Sequence, residues 1–155
     1  MEIISENIIL DRKNARLILI GKEKAEVIAC PYRDLDACLA VLRRMTERDC
    51  AVSLDVEDII TLHTPGKTVR LASASAKGEN GAEEVFRRAF LNMGKIKSLC
   101  FHLTVPQSAT LDEIEKGISV LHTFGILDPF AEIIWSMDFF EEEIDEVRLD
   151  AIIFE

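Results

Sequence analysis

The sequence predicts an α+β fold of two layers, a mixed four-stranded sheet with helices packed on one face, preceded by an N-terminal β meander and a connecting helix. Three observations point there. Leu99, Phe101, Leu103 and Val105 alternate strictly, which marks a strand with one face in a core. Two stretches, from Asn80 and from Thr110, join a cap signal to apolar residues at helical spacing. Strand and helix patterns then alternate to the end of the chain, which layers helices against a sheet.

Taken in order, Ile3 to Leu10, Ala15 to Ile20 and Ala25 to Ala29 are short β-branched and aliphatic runs. The polar turns Asp11-Arg12-Lys13-Asn14 and Gly21-Lys22-Glu23-Lys24 separate them, so residues 1–30 read as a meander of two or three strands. Pro31-Tyr32-Arg33-Asp34 opens the connecting helix of residues 31–50. Leu35, Cys38, Leu39, Leu42 and Met45 form its apolar face, Asp36, Arg43, Arg44 and Glu47 lie opposite, and Arg48-Asp49 closes it.

The third region, residues 51–155, completes what reads as one unit. A short helix from Asp55 to His63 is stopped by Thr64-Pro65-Gly66, and Lys67 to Ala76 reads as a strand. Asn80 as N-cap with Glu83 gives a capping pair, and Ala82, Val85, Phe86, Ala89 and Phe90 line one face of the helix that ends near Asn92-Met93-Gly94. Thr110 with Glu113 is a second capping box, whose helix runs through Ile114, Ile118 and Leu121 to Gly125. Two closing strands, about Glu132 to Met137 and Val147 to Phe154, are expected to pair as a hairpin around the acidic loop Asp138 to Glu146.

At 155 residues and 48% hydrophobic content the chain is long enough to bury roughly 70% of the surface it exposes when unfolded, without metal or disulfide. A net charge of −10 without a dense Lys/Arg cluster argues against nucleic acid. No apolar run reaches the length of a membrane span and the start is unlike a signal peptide, so a cytoplasmic protein without a membrane partner is expected. Cys30, Cys38, Cys50 and Cys100 lack metal or disulfide spacing and read as reduced, mostly buried thiols. Cys100 and His102 share a strand face, with His63 and His122 elsewhere, but three scattered histidines read as packed or surface residues and no metal is assigned.

The stretch with chemical content is Ser53-Leu54-Asp55-Val56-Glu57-Asp58. It puts two carboxylates three residues apart on one face of a helix's first turn. By itself the pattern also fits plain capping, since Asp55 is a good N-cap and acids in a first turn complement the helix dipole. From Ser53 onward, with Gly78-Glu79-Asn80-Gly81-Ala82-Glu83-Glu84, Leu111-Asp112-Glu113 and Asp145-Glu146-Val147-Arg148-Leu149, the chain resembles the C-terminal domain of the FtsZ/tubulin family over about two thirds of its length.

In that family a long helix leads into a loop reading Asn-x-Asp-x-x-Asp, which one protomer presents to the GTP held by its filament neighbour. Here Arg33 to Arg48 takes the helix's place and Ser53-x-Asp55-x-x-Asp58 that of the loop, with both acids kept and the amide replaced. The resemblance implies that Asp55 and Asp58 help position the attacking water in trans, and that Ser53 is a weakened nucleotide contact. The family's GTPase domain and C-terminal tail have no counterpart in this sequence, which stops at Phe154-Glu155. The expectation is a chain that does not anchor a division ring alone.

A phosphate cradle needs several backbone N–H groups converging on an anion, which clustered glycines allow. The glycines, at 21, 66, 78, 81, 94, 117 and 125, are never adjacent, and the nearest pair flanks Glu79. The isolated chain is therefore expected neither to bind GTP tightly nor to hydrolyse it, and no cofactor is assigned.

Three readings stay open. The first is an interaction module that binds or modulates an FtsZ/tubulin-like filament GTPase. The second is a self-associating homo-oligomer whose N-terminal strands complete the sheet or pair with another copy. The third is a small-molecule sensor with an intersubunit site near the loop Asp138 to Glu146. No nucleophile stands beside a base, so an enzyme in isolation is not expected.

Overall fold

A computed structural model describes residues 1–47, 50–62 and 68–155. The expected closures at Arg48-Asp49 and Thr64-Pro65-Gly66, the strand start at Lys67, and His63 lie outside the described residues. The N-terminal sheet is a four-stranded antiparallel meander of β1 (Glu2–Ile3), β2 (Ile8–Asp11), β3 (Arg16–Ile20) and β4 (Ala25–Ala29), paired in that order. The first apolar run thus makes two strands rather than one. Ile4 and Ser5 donate their backbone N–H groups to the Ile8 carbonyl, and the Asn7 amide donates to the Ile20 carbonyl at 2.9 Å, so the chain turns where continuity was expected.

The β2 to β3 turn is fastened by Asp11, whose side chain is almost fully buried. It accepts hydrogen bonds from the Asn14 amide at 2.9 Å and the Arg16 guanidinium at 2.7 Å, and these hold its carboxyl at about 2. Because the folded value lies below the ordinary one, the stabilisation is complete above pH 3.8 and is lost as pH falls toward about 2. Thermal melts of Asp11→Asn should therefore fall less steeply with pH than the parent across that window. Parallel curves would refute the assignment.

A single 3₁₀ turn, Tyr32–Asp34, leads into α1 (Leu35–Thr46), and α2 (Val56–Leu62) follows. The second sheet contains β5 (Val69–Lys77), β6 (Ile96–Val105), β7 (Leu127–Phe139) and β8 (Glu146–Phe154). Between its strands run α3 (Gly81–Ala89) and α4 (Leu111–Thr123). Its order is β5-β8-β6-β7, antiparallel except for the parallel β6/β7 pair.

The sheet is mixed, as expected, but the closing hairpin is not formed, because β8 inserts between β5 and β6 and leaves β7 at the edge. Burial explains the choice. From Leu149 to Phe154 every residue of β8 is buried, which suits a strand covered on both faces, whereas most of β7 is half-buried or exposed.

The helices α3 and α4 cover one face of this sheet as expected, with Phe86 of α3 packed over Leu99, Phe101, Leu103, Leu149 and Ile153. Their mutual approach needs Gly117, where an added Cβ would lie 3.0 Å from the Ala82 carbonyl oxygen. The opposite face is also covered, so β6 is buried on both sides rather than one. There Cys100, Ile152 and Phe154 share a core with α1, α2 and the inner face of the N-terminal sheet.

Thr110 and Glu113 form the expected capping box at 3.3 and 3.4 Å. The expected cap at Asn80 is not made. Its side chain forms no cap bond, and a turn closes instead from the Gly81 N–H to the Gly78 carbonyl at 3.1 Å, with Gly78 at φ +91°, where a residue with a Cβ would be strained.

Candidate functional site

Residues 53–58 emerge from the core at the junction of α1, α2 and the β7 edge. Val52 exchanges two backbone hydrogen bonds with Met137 of β7 at 2.9 and 3.1 Å, and the Leu54 N–H donates to the Met45 carbonyl at 3.2 Å. Val56, Ile59 and Ile60 bury the inner side of the short helix, and half-buried Leu54 packs against the same cluster. Apolar residues thus fix the backbone and leave Ser53, Asp55 and Asp58 exposed together.

The two aspartates cap α2 reciprocally. The Asp58 N–H donates to Asp55 Oδ1 and the Asp55 N–H to Asp58 Oδ2, each at 3.0 Å. One oxygen of each carboxylate is therefore held to the backbone, and the other makes no hydrogen bond to a described residue. Glu57 points the other way and accepts from the Lys22 N–H, beside Gly21, where a Cβ would lie 2.5 Å from its carboxylate. This couples the loop to the N-terminal sheet without covering it. Chemically the site offers two oriented carboxylate oxygens, suited to ordering a water or a cation and lacking any nucleophile of its own.

The other sequence candidates fall elsewhere. Cys100 and His102 do share a face of β6, but Cys100 is in the core and burial pushes its thiol up to about 12. Cys30 and Cys38 are also free and buried, and Cys50 is half-buried. Their mutual hydrogen bond lowers the Cys30 thiol and raises that of Cys38. His122 is exposed near the end of α4, and among the described residues no group of His, Cys, Asp and Glu is arranged to hold a metal ion.

A second cluster escaped the sequence reading. On the α1 side of the sheet, register stacks three cross-strand rows: Ile134, Cys100 and Ile152; then Ser136, His102 and Asp150; then Asp138, Thr104 and Arg148. Polarity rises from one row to the next as the cover of α1 and α2 gives way to a cleft of about 400 Å³, bordered also by Arg44, Phe139, Phe140 and Glu142. Buried Asp150 accepts from Arg44 of α1 at 2.7 Å and from Arg148 at 3.1 Å, while His102 Nδ1 and Ser136 Oγ are 2.7 Å apart. The acidic loop after β7 lines this cleft, crossing β6 to reach β8 instead of forming a hairpin tip. A carboxylate inside the apolar run of β8 demands a cation, and that was the available signal.

No family model and no curated protein matches the sequence. Among solved structures, an empty FtsZ dimer of M. jannaschii is similar at TM-score 0.66 and 20% identity, over 80% of this chain and 37% of that one. A point mutant of FtsZ from M. jannaschii is similar at TM-score 0.64 and 21% identity, over 80% and 39% respectively. The chain thus spans under two fifths of the length of these structures. The shared fold is that of the FtsZ C-terminal domain. No helix among the described residues is long and apolar enough to cross a membrane.

Proposed function

We propose that this chain is a protein-interaction module that presents residues 53–58 to the nucleotide-bearing end of an FtsZ- or tubulin-like GTPase and modulates its filament. The observation that carries the reading is the pair Asp55 and Asp58, exposed and held to the backbone on an FtsZ-type fold. In this role Asp55 and Asp58 help order the attacking water on the partner's nucleotide, and Ser53 contacts that nucleotide weakly. The module supplies no nucleotide for a following subunit, so bound at a filament end it caps growth.

Electrostatics constrains the complex. A carboxylate about 4 Å from a phosphate charge is opposed by roughly 4 kcal/mol at an effective dielectric near 20, so a divalent cation must bridge them. Binding should accordingly need both GTP and a divalent ion.

The test is co-sedimentation with purified FtsZ, with and without GTP, coupled to phosphate release. Asparagine caps a helix about as well as aspartate. Asp55→Asn with Asp58→Asn therefore removes the charge and keeps α2. The parent should pellet in a GTP-dependent way and change the hydrolysis rate, and the double variant should lose most of the rate effect. A parent that stays in the supernatant, or a double variant equal to it in rate, would exclude the reading.

A further inference from the structure

Where β5 and β6 begin and β8 ends, the second sheet carries a cavity of about 310 Å³, at the lower end of the roughly 300–1,000 Å³ usual for small-ligand sites. Arg70 of β5 stands opposite Ile153 of β8, and Ile153 opposite Leu99 of β6. Arg70 therefore leaves the sheet on the face that α3 and α4 cover further along. Lys95 and Lys97, both exposed, flank buried Ile96 and line the same cavity, with Glu155 as its one carboxylate.

Two independent observations set this cavity apart. The first is charge. Three cations face one carboxylate here, in a chain of net charge −10, whereas the cavities beside His102, Gly78, Thr61 and Asn7 each hold more carboxylates than cations. The second is an orphaned donor. Among the described residues, Arg70 Nε is the one buried side-chain nitrogen or oxygen without a hydrogen-bond partner, although Nη2 of the same guanidinium holds Glu155 Oε1 at 2.6 Å. Leaving a buried donor unmade costs more than an average bond contributes, so folded chains give nearly every one an acceptor. This chain supplies none, and the acceptor has to come from outside it.

We propose that the cavity binds a small phosphate monoester as its dianion. The terminal oxygens of a phosphate suit one planar guanidinium fork and two ammonium point charges, and two negative charges match the two cations in excess. In the free chain Glu155 holds the place of the anion on Arg70. On binding, the guanidinium, 42% exposed, turns from Glu155 to the phosphate and Nε gains its acceptor, while the Glu155 side chain, 48% exposed, moves into water. The ester substituent lies toward Ile153 and Phe154. The cavity shares no residue with positions 53–58, so it stands independently of the role proposed for them.

Isothermal titration with phenyl phosphate at constant ionic strength tests this. The parent should bind saturably, and benzoate, with the same ring and a single charge, should bind more weakly by at least about tenfold. Inorganic phosphate titrated in parallel should also bind more weakly, whereas equal or tighter binding would overturn the choice of an ester. Arg70→Lys keeps the charge and removes the fork, and should weaken binding by at least about tenfold, which attraction to net charge alone would not produce. Lys95→Gln with Lys97→Gln, at exposed positions, should keep the parent's circular dichroism and lose most of the binding. Glu155→Gln removes the competing carboxylate and should tighten binding several-fold. A parent that takes up no phenyl phosphate, or an Arg70→Lys variant that binds as well as the parent, would overturn the inference.

Discussion

Phe101→Ala should lose about 3–5 kcal/mol of folding free energy, a large part of the roughly 5–15 kcal/mol that holds a domain of this kind. The ring is fully buried at the middle of β6, edge-on to Phe86 with centroids 5.3 Å apart and stacked on Trp135 at 5.9 Å. It therefore ties α3, the central strand and the β7 edge in one contact, and a cavity there cannot be closed by moving any single element. Phe130→Ala provides the contrast, since that ring is 92% exposed and its removal should change stability by less than about 0.5 kcal/mol. Urea unfolding of both variants reads the difference. Similar losses would mean that the packing of Phe101 is not as described.

Phe101 also illustrates what was legible. Its alternation with Leu99, Leu103 and Val105 announces a strand, and Thr110 with Glu113 announces a helix start, because both signals are local and each is realised in the fold. Strand order is not local. Neighbouring strands often pair, so β7 and β8 were expected to form a hairpin, yet burial on two faces sends β8 to the centre. The continuous run from Leu149 to Phe154, interrupted only by Asp150, was the clue, and it differs from the half-exposed residues of β7.

Asn80 failed as a cap for a local reason instead, since the backbone turns at Gly78 and closes on the Gly81 N–H without its side chain. At the candidate site the acids could be read from spacing and Asp55 as an N-cap, and the structure adds the return bond from the Asp55 N–H to Asp58. The row of Ser136, His102 and Asp150 could not, because its members lie on three strands whose register only the fold sets.

Asp150 carries the second large expectation. Its side chain is 5% exposed and receives both Arg44 and Arg148, whose side chains are 27% and 49% exposed. Removing a buried carboxylate from its cations costs about 3–5 kcal/mol in a sealed site. Here both guanidiniums reach water, so Asp150→Ala should cost about 2–3 kcal/mol. Arg148→Ala should cost no more than about 1 kcal/mol, because Arg44 still holds the carboxylate and Arg148 is half in solvent. A larger side chain that continues the apolar run, as in Asp150→Leu, should recover part of the loss, provided the arginines swing outward.

The consequence extends beyond stability. Arg44 lies near the end of α1, nine residues before Ser53 in the sequence, and its bond to Asp150 is a direct tie from that helix to the sheet. If the position of the loop depends on this tie, Asp150→Ala should weaken the effect on a partner GTPase more than Arg148→Ala does, although neither residue is in the loop. Denaturant titrations establish the stability order, and phosphate release below the unfolding transition establishes the positional one. Equal and small losses for Asp150→Ala and Arg148→Ala would show that the carboxylate bears no such tie.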